Sequence, residues 1–421
     1  MEVTINPISQ TEQEAHITLN NTELEPHFEE ALQKFRPKVE LKGFRKGKVP
    51  LDLIRRLYGK AVEQDALDDI ATDYFRKAMA EHKIEPIGKP SLVNMDFQRG
   101  KSFDFRIKYE IRPTIELKSY KGLSAEKLIH IVTNQEVEAE IDQIRRSNST
   151  NTDAQTVTDE EHLVTGTVQE LDERGTPLIG RKTSQTKFLL SDTTLVKEIR
   201  DALRNAEVGQ TYHVTFTNQH DDHSHTVNTA ITVTKIEKVN LPPLDEALVK
   251  KVTGDKVTSV EQFRKDLRSD LERYWNEQAD RKINNDLIAE VVRLHEFPVP
   301  ESLINALLES FMEEMKGRTR DRQLPRDFDE KKFREENRAN AVWQAKWMLL
   351  RNTIAEAEKI AVTDDDLSAL AESDAARSGI EKDRLLQYYK STGSVADRLL
   401  TDRVVALLRS NARITDRLEK S

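Results

Sequence analysis

The chain contains no cysteine, few aromatic residues (6%) and no apolar run approaching 18 residues. The first absence excludes a disulfide framework, a thiol nucleophile and a cysteine-based zinc site. The last excludes a membrane-spanning helix, so no membrane partner is expected. The opening MEVTINPISQTEQEAH has neither a basic start nor an apolar core, so no secretory signal is expected and a cytoplasmic setting is the economical one. No Gly-x-x-x-x-Gly-Lys-Ser/Thr phosphate loop is present, and no nucleophile–base arrangement is indicated. The sequence therefore points to no catalytic residue and no cofactor site, and no resident metal is expected.

What is present is charge. Asp, Glu, Lys and Arg make up 33% of 421 residues, mean hydropathy is −0.66, yet 37% of residues are hydrophobic. This profile suits long amphipathic helices with much solvated surface, divided among two or three domains. The formal net charge is −9, but residues 34 to 60 carry ten Lys or Arg against two acids, Glu40 and Asp52. Such stretches are commonly plain solvated surface. Here the stretch contains Gly43-Phe44-Arg45-Lys46-Gly47-Lys48-Val49-Pro50, an aromatic ring and three cations punctuated by two glycines and a proline. The punctuation predicts an exposed loop. Its contents suit a docking tip for a polyanion, with cations for phosphate or acidic groups and Phe44 for stacking or an apolar notch.

Around this loop the first segment reads as α+β. Val3/Ile5 and Ile17/Leu19 alternate as strands, Glu23 to Phe35 has helical spacing, and Val62, Ala66, Ile70 and Tyr74 mark a second helix. Ile84 to Pro90 reads as a turn, and Phe103 to Ile111 alternates strictly as a strand ended by Pro113. Residues 113 to 149 read as a connection and a helix opened by the capping box Thr133-Asn134-Gln135-Glu136. Residues 160 to 238 are mostly β, with strands at Val164/Gly166/Val168, Tyr212/Val214/Phe216 and Ile231/Val233, and a short helix from Leu195 to Leu203. From Pro242 onward the pattern is nearly all helix. Capping boxes are expected at Ser259-Val260-Glu261-Gln262 and Thr363-Asp364-Asp365-Asp366, a helix from Asp327 to about Ile360, and a last pair over Lys382 to Tyr389 and Ser394 to Ile414. Trp343 and Trp347, four residues apart, read as core. His220-Asp221-Asp222-His223-Ser224-His225 could converge on Zn²⁺ or Ni²⁺, but a polar hairpin tip is the simpler reading.

GFRKGKVP, its flanks LQKFRPKVELK and LDLIRRLYG, and the segments LPPLDEALVKKV, FPVPESLINALLE and ANAVWQAKWMLLRNTIAEAEKIAVTDDDL resemble trigger factor, the bacterial chaperone that meets nascent chains at the ribosome. The resemblance is strong at both ends of the chain and weak in the middle. It implies an elongated α+β multidomain protein. Residues 1–112 would be an α+β ribosome-docking domain, and 113–149 a linker and helix belonging to a helical body. Residues 150–238 would be a small FKBP-like insert of β-rich fold, and 239–421 the all-α chaperone domain completing the body. It further implies ribosome docking through Gly43, Phe44, Arg45, Lys46, Gly47, Lys48 and Pro50, to exit-tunnel protein and ribosomal RNA. Unfolded nascent polypeptides would be the clients, bound without ATP, and a homodimer is allowed for when the protein is free. Adaptable apolar contacts for clients are expected at Leu303, Leu307, Phe311, Met312 and Met315.

The insert departs from the family. Active isomerase inserts carry Asp-Phe-x-Gly-x-x-Asp-Gly-x-x-Phe-x-Gly-Gly, whereas this chain reads Thr165-Gly166-Thr167-Val168-Gln169-Glu170-Leu171-Asp172-Glu173-Arg174-Gly175-Thr176-Pro177-Leu178. Ile-Pro-Gly-Phe-Glu is replaced by Leu195-Val196-Lys197-Glu198-Ile199, and residues 160 to 238 hold three aromatics, Phe188, Tyr212 and Phe216, and no tryptophan. An apolar pocket that desolvates the X–Pro amide lowers its rotational barrier. Without that lining, weak or absent isomerase activity is expected. Peptidyl-prolyl isomerisation as the main task is the rival reading.

Overall fold

A computed structural model describes the whole chain except residues 173, 179–183, 221, 222, 320, 326, 420 and 421 and the side chains of 218–225. The His220–His225 cluster thus lies outside the residues described in side-chain detail. Two compact units are present, one of residues 1–127 with 280–416 and the other of 128–279 with 417–421. This grouping cuts the chain differently from the composition boundaries above.

The first unit begins with β1 (Glu2–Pro7) and β2 (Glu12–Asn20), followed by α1 (Asn21–Phe35) and the long α2 (Leu51–His82). Next come β3 (Ile87–Gln98) and β4 (Ser102–Glu110), and the four strands form a sheet in the order β1-β2-β4-β3. The alternation in β2 and β4 turns Ile17, Leu19, Phe103, Phe105 and Ile107 inward against Leu67, Ile70, Phe75 and Ala78 of α2. Asn20 and Glu23 form a reciprocal capping box at the start of α1, with both bonds at 3.0 Å. The turn expected over 84–90 is corrected: β3 starts inside it, at Ile87. The strand was illegible because nearly all of its residues are exposed, and its pairing with β4 is irregular between Ile87 and Ser91 and between Leu92 and Asn94.

Beyond residue 112, β5 (Ser124–Ile129) leads to α3 (Asn134–Ser147), whose capping box is formed by Thr133 and Glu136. A five-stranded antiparallel sheet follows, built from β6 (Thr150–Ala154), β7 (His162–Leu171), β8 (Ser184–Leu189), β9 (Thr211–His220) and β10 (His223–Asn240), with α4 (Lys197–Leu203) between β8 and β9. Thr150 pairs with Asn240, so the sheet opens and closes at one place. Arg146 at the end of α3 grips Glu161 with two bonds, at 2.8 and 2.9 Å, fixing the helix against this sheet. Next is α5 (Glu246–Thr253), capped by Asp245.

The remaining elements are α6 (Val260–Leu294), α7 (Glu301–Arg318), α8 (Glu330–Ala357), α9 (Asp364–Ser378), α10 (Lys382–Thr392), α11 (Ser394–Ser410) and β11 (Arg413–Leu418). Ile283, Leu287 and Val291 of α6, Leu350 and Ile354 of α8, and Val404 and Leu408 of α11 form the helical core of the first unit. His295 is buried there: its Nδ1–H donates to the Val291 carbonyl at 2.7 Å, and its Nε2 accepts from the Lys118 amide at 2.8 Å. Those partners fix a neutral tautomer and pin the connection from residue 113 to the helices. The helix expected over Asp327–Ile360 is shorter at both ends. The last expected helix stops at Ser410, and residues 413–418 turn into β11, which pairs with β5. β11 contradicts an all-helical tail, and β5 is a strand within the stretch expected to be a connection. Neither is readable alone, because each is short, six residues, and its partner lies far away in the sequence.

Candidate functional site

The basic loop is held at both ends by buried valines. Val39 and Val49 are 4% and 1% exposed and pack with Leu32, Ile54 and Val62 of the helices on either side. Between these anchors the chain makes two tandem turns, closed by Phe44 N–H to the Leu41 carbonyl (3.0 Å) and Lys48 N–H to the Arg45 carbonyl (2.9 Å). Gly43 and Gly47 occupy the third position of each turn, with φ of +94° and +75°. A residue with a Cβ is strained there, which explains the spacing of the glycines. The turns leave Phe44 42% exposed, and Lys42, Arg45, Lys46 and Lys48 also face solvent.

Not every cation of the stretch is available. Lys34 pairs with Glu30 at 2.9 Å, Arg55 with Glu29, and Lys46 with Glu40 at 2.7 Å. Among the described residues Lys38, Lys42, Arg45, Lys48, Arg56 and Lys60 have no carboxylate partner. A loop that projects an apolar ring among unneutralised cations is equipped to meet an anionic surface carrying an apolar notch. Leu57, 52% exposed between Arg56 and Lys60 on α2, adds a second apolar group that the sequence reading missed. No spacing signal marks it: three residues after the buried Ile54, helical periodicity would place it on the inner face, and its exposure shows only in the fold.

The stripe on α7 is placed differently from expectation at one position. Met312 is 4% exposed and belongs to the packing of the helix, so it offers no contact surface. Leu307 and Phe311 are half-buried against Ile304, Leu308 and Ala341, and Leu303 and Met315 are also half-buried. The two tryptophans separate as well. Trp347 packs on the helical core, but Trp343, one turn earlier, is 39% exposed, correcting its reading as core. The stripe simply runs past the edge of the core. Other exposed apolar side chains are Leu92, Val93 and Met95 on the sheet edge β3.

In the insert, Phe188 is buried with Val164, Leu190, Leu203, Ile231 and Ile236, while Tyr212 and Phe216 pack at the margin of that cluster. The Tyr212 hydroxyl accepts the Glu207 amide at 2.9 Å. Asp172 accepts the amides of Arg174 and Thr176, both at 2.8 Å, and so shapes a tight turn where the isomerase pattern would have its Asp-Gly.

Comparison with known proteins identifies the lineage. Residues 1–144 match the family model described as bacterial trigger factor protein (TF), and residues 259–410 match its C-terminus counterpart. The trigger factor of Salinibacter ruber is 30% identical over 435 residues, covering 97% of this chain and 93% of that protein. The chain belongs to the trigger factor family. The trigger factor of Chlorobium phaeobacteroides is also 30% identical, over 99% of this chain and 98% of its own. A solved structure of the trigger factor chaperone, described for promiscuous substrate recognition in folding and assembly, superposes with a TM-score of 0.53 at 18% identity, covering 97% of this chain and 99% of that one. That likeness establishes a shared multidomain α+β fold. The family makes this chain a protein-folding chaperone. The altered isomerase pattern lies between the two ranges matched to family models. Among the described residues no helix is long and apolar enough to cross a membrane.

Proposed function

We propose that this chaperone docks on the ribosome through Gly43–Pro50 and shelters emerging polypeptides without ATP. The observation that carries the reading is the pair of glycine turns between two buried valines, which holds Phe44 and Arg45 out at a fixed tip. Phe44 enters an apolar notch of exit-tunnel protein, and the unpaired cations meet acidic side chains and RNA phosphates. The setting is cytoplasmic, where ribosomes are, and the free protein forms a homodimer as the family resemblance suggests.

Client contacts fall on half-buried and exposed apolar side chains, Leu303, Leu307, Phe311, Met315 and Trp343, which lie beside charged helix faces. Dispersed patches of this kind bind many sequences weakly and release them without an energy source. In this division of labour residues 1–112 form the docking domain, 113–149 and 239–421 the helical body, and 150–238 an insert that retains its fold with little isomerase activity.

Simultaneous Phe44→Ala, Arg45→Ala and Lys46→Ala substitution tests the docking assignment. The triple variant should keep its circular dichroism spectrum and lose ribosome co-sedimentation; undiminished co-sedimentation would sink it. Refolding of an aggregation-prone protein with full-length chain and with residues 150–238 deleted tests the sheltering role. Both should suppress aggregation, and failure of the deleted form would return the main task to the insert.

A further inference from the structure

Past the end of β5, His130 sits between two carboxylates. Its Nδ1 lies 2.7 Å from Glu419 Oε2 and its Nε2 lies 2.6 Å from Glu136 Oε1. A neutral imidazole has one N–H and can donate to only one of them; the other carboxylate would then face a lone pair. The imidazolium donates to both. Its ring also stacks on Trp275 of α6, with centroids 4.2 Å apart and planes at 27°, an arrangement in which a cation is attracted by the indole face.

We propose that His130 is a proton-operated latch, which when charged fastens the carboxyl-terminal segment at Glu419 to the start of α3 and the face of Trp275. Each partner is set for this role. Glu136 uses its Oε2 to accept from the Thr133 amide (2.7 Å) and hydroxyl (3.0 Å), completing the α3 capping box and leaving Oε1 for the histidine. Glu419 donates its own amide to the Ile129 carbonyl at 3.0 Å, so the latch closes beside a backbone bond that reports its state. Little apolar packing helps: Leu418 and Ile131, next in sequence to two latch residues, are 64% and 67% exposed.

The ionisable groups bonded to the ring are Glu136 from α3 and Glu419 from the carboxyl-terminal segment, with Trp275 covering one face from α6. Arg268 of α6 is engaged by the Val132 carbonyl and the Asn134 side chain. Burial is the largest single influence on His130 and opposes protonation, but Glu419 and Glu136 together outweigh it and raise its pKa above the ordinary value. The attachment is therefore complete below about pH 6.5, the usual histidine range, and weakens as pH climbs through the raised value.

Hydrogen exchange of the Glu419 amide in the full-length protein, corrected for the intrinsic pH dependence, tests the latch between mildly acidic and alkaline buffer. Protection should fall about tenfold on deprotonation, the factor one charge-assisted bond supports. In His130→Gln the step should vanish, with exchange in the core of α6 unchanged as the control for folding. Glu419→Gln, at an exposed position, should lower the His130 titration midpoint followed by NMR. Equal protection at both pH values in the unmodified protein, a surviving step in His130→Gln, or an unmoved midpoint in Glu419→Gln would each overturn the proposal.

Discussion

Glu110, the last residue of β4, caps the helix that contains Ser302. Its carboxylate accepts the backbone amide of Ser302 at 2.9 Å, that of Glu301 at 3.1 Å, and the Ser302 hydroxyl. Pro300, at the N-cap of α7, has no side chain able to do this. A carboxylate 191 residues away in sequence takes the place of the local cap and complements the positive end of the helix. The sheet approaches closely enough that a Cβ on Gly88 would lie 2.4 Å from Ser302 Cβ.

Removal of that cap should loosen the first turn of α7. Glu110→Ala is expected to cost about 1 kcal/mol, the usual worth of an N-cap side chain. Faster amide exchange at residues 301–304, with exchange in α2 unaltered, is the expected result. Unchanged exchange at Ser302 would count against the cap.

The contrast between local and distant caps explains how much of the molecule was legible in its sequence. Thr133–Glu136 and Thr363–Asp366 were readable because donor and acceptor lie three residues apart. Ser259 was only half-readable: its hydroxyl accepts the Gln262 amide at 3.4 Å, but the Gln262 side chain turns to Asp266. Glu110 was invisible, as were β5 and β11, because their partners are supplied by tertiary structure. The glycine-bracketed basic loop was legible for the opposite reason. Glycines at Gly43 and Gly47 encode positive φ locally. What sequence withheld there was the burial of Val39 and Val49, which anchors the loop ends, and the pairing of Glu40 with Lys46.

The start of α9 should be resistant to acid. Arg403 first, then the amide and hydroxyl of Thr363, hold the Asp366 carboxyl down from 3.8 to about 2. A lowered folded pKa means that its stabilising contribution is present above the ordinary range and is lost as pH falls through about 2. NMR titration of Asp366 should give a midpoint near 2, rising towards the ordinary value in Arg403→Ala. An ordinary midpoint in the unmodified protein would refute the ion pair with Arg403.

Gly43→Ala should impair docking while sparing the fold. At φ +94° an added Cβ meets no atom within 4 Å, so the penalty is backbone strain alone, about 1 kcal/mol. The loop can relieve it by abandoning the turn, because the Val39 and Val49 anchors are untouched. Ribosome co-sedimentation should drop severalfold with an unchanged melting curve. Full binding by both Gly43→Ala and Gly47→Ala would show that the turn geometry is irrelevant to docking.

Glu40 sets an upper limit on how freely the loop meets an anion. Its carboxylate lies 2.7 Å from Lys46 Nζ, and both side chains are mostly exposed. Docking on phosphate or on an acidic surface requires Lys46 to exchange that partner. An exposed pair of this kind is worth about 0–1 kcal/mol and is weakened by salt. Glu40→Gln should therefore tighten ribosome binding by up to about fivefold at low ionic strength, and the gain should disappear at high ionic strength. Fluorescence titration of labelled full-length protein against ribosomes at the two salt conditions makes the measurement. Weaker binding by the variant at low salt would assign Glu40 to the docking contact itself, as an acceptor for a basic group on the partner.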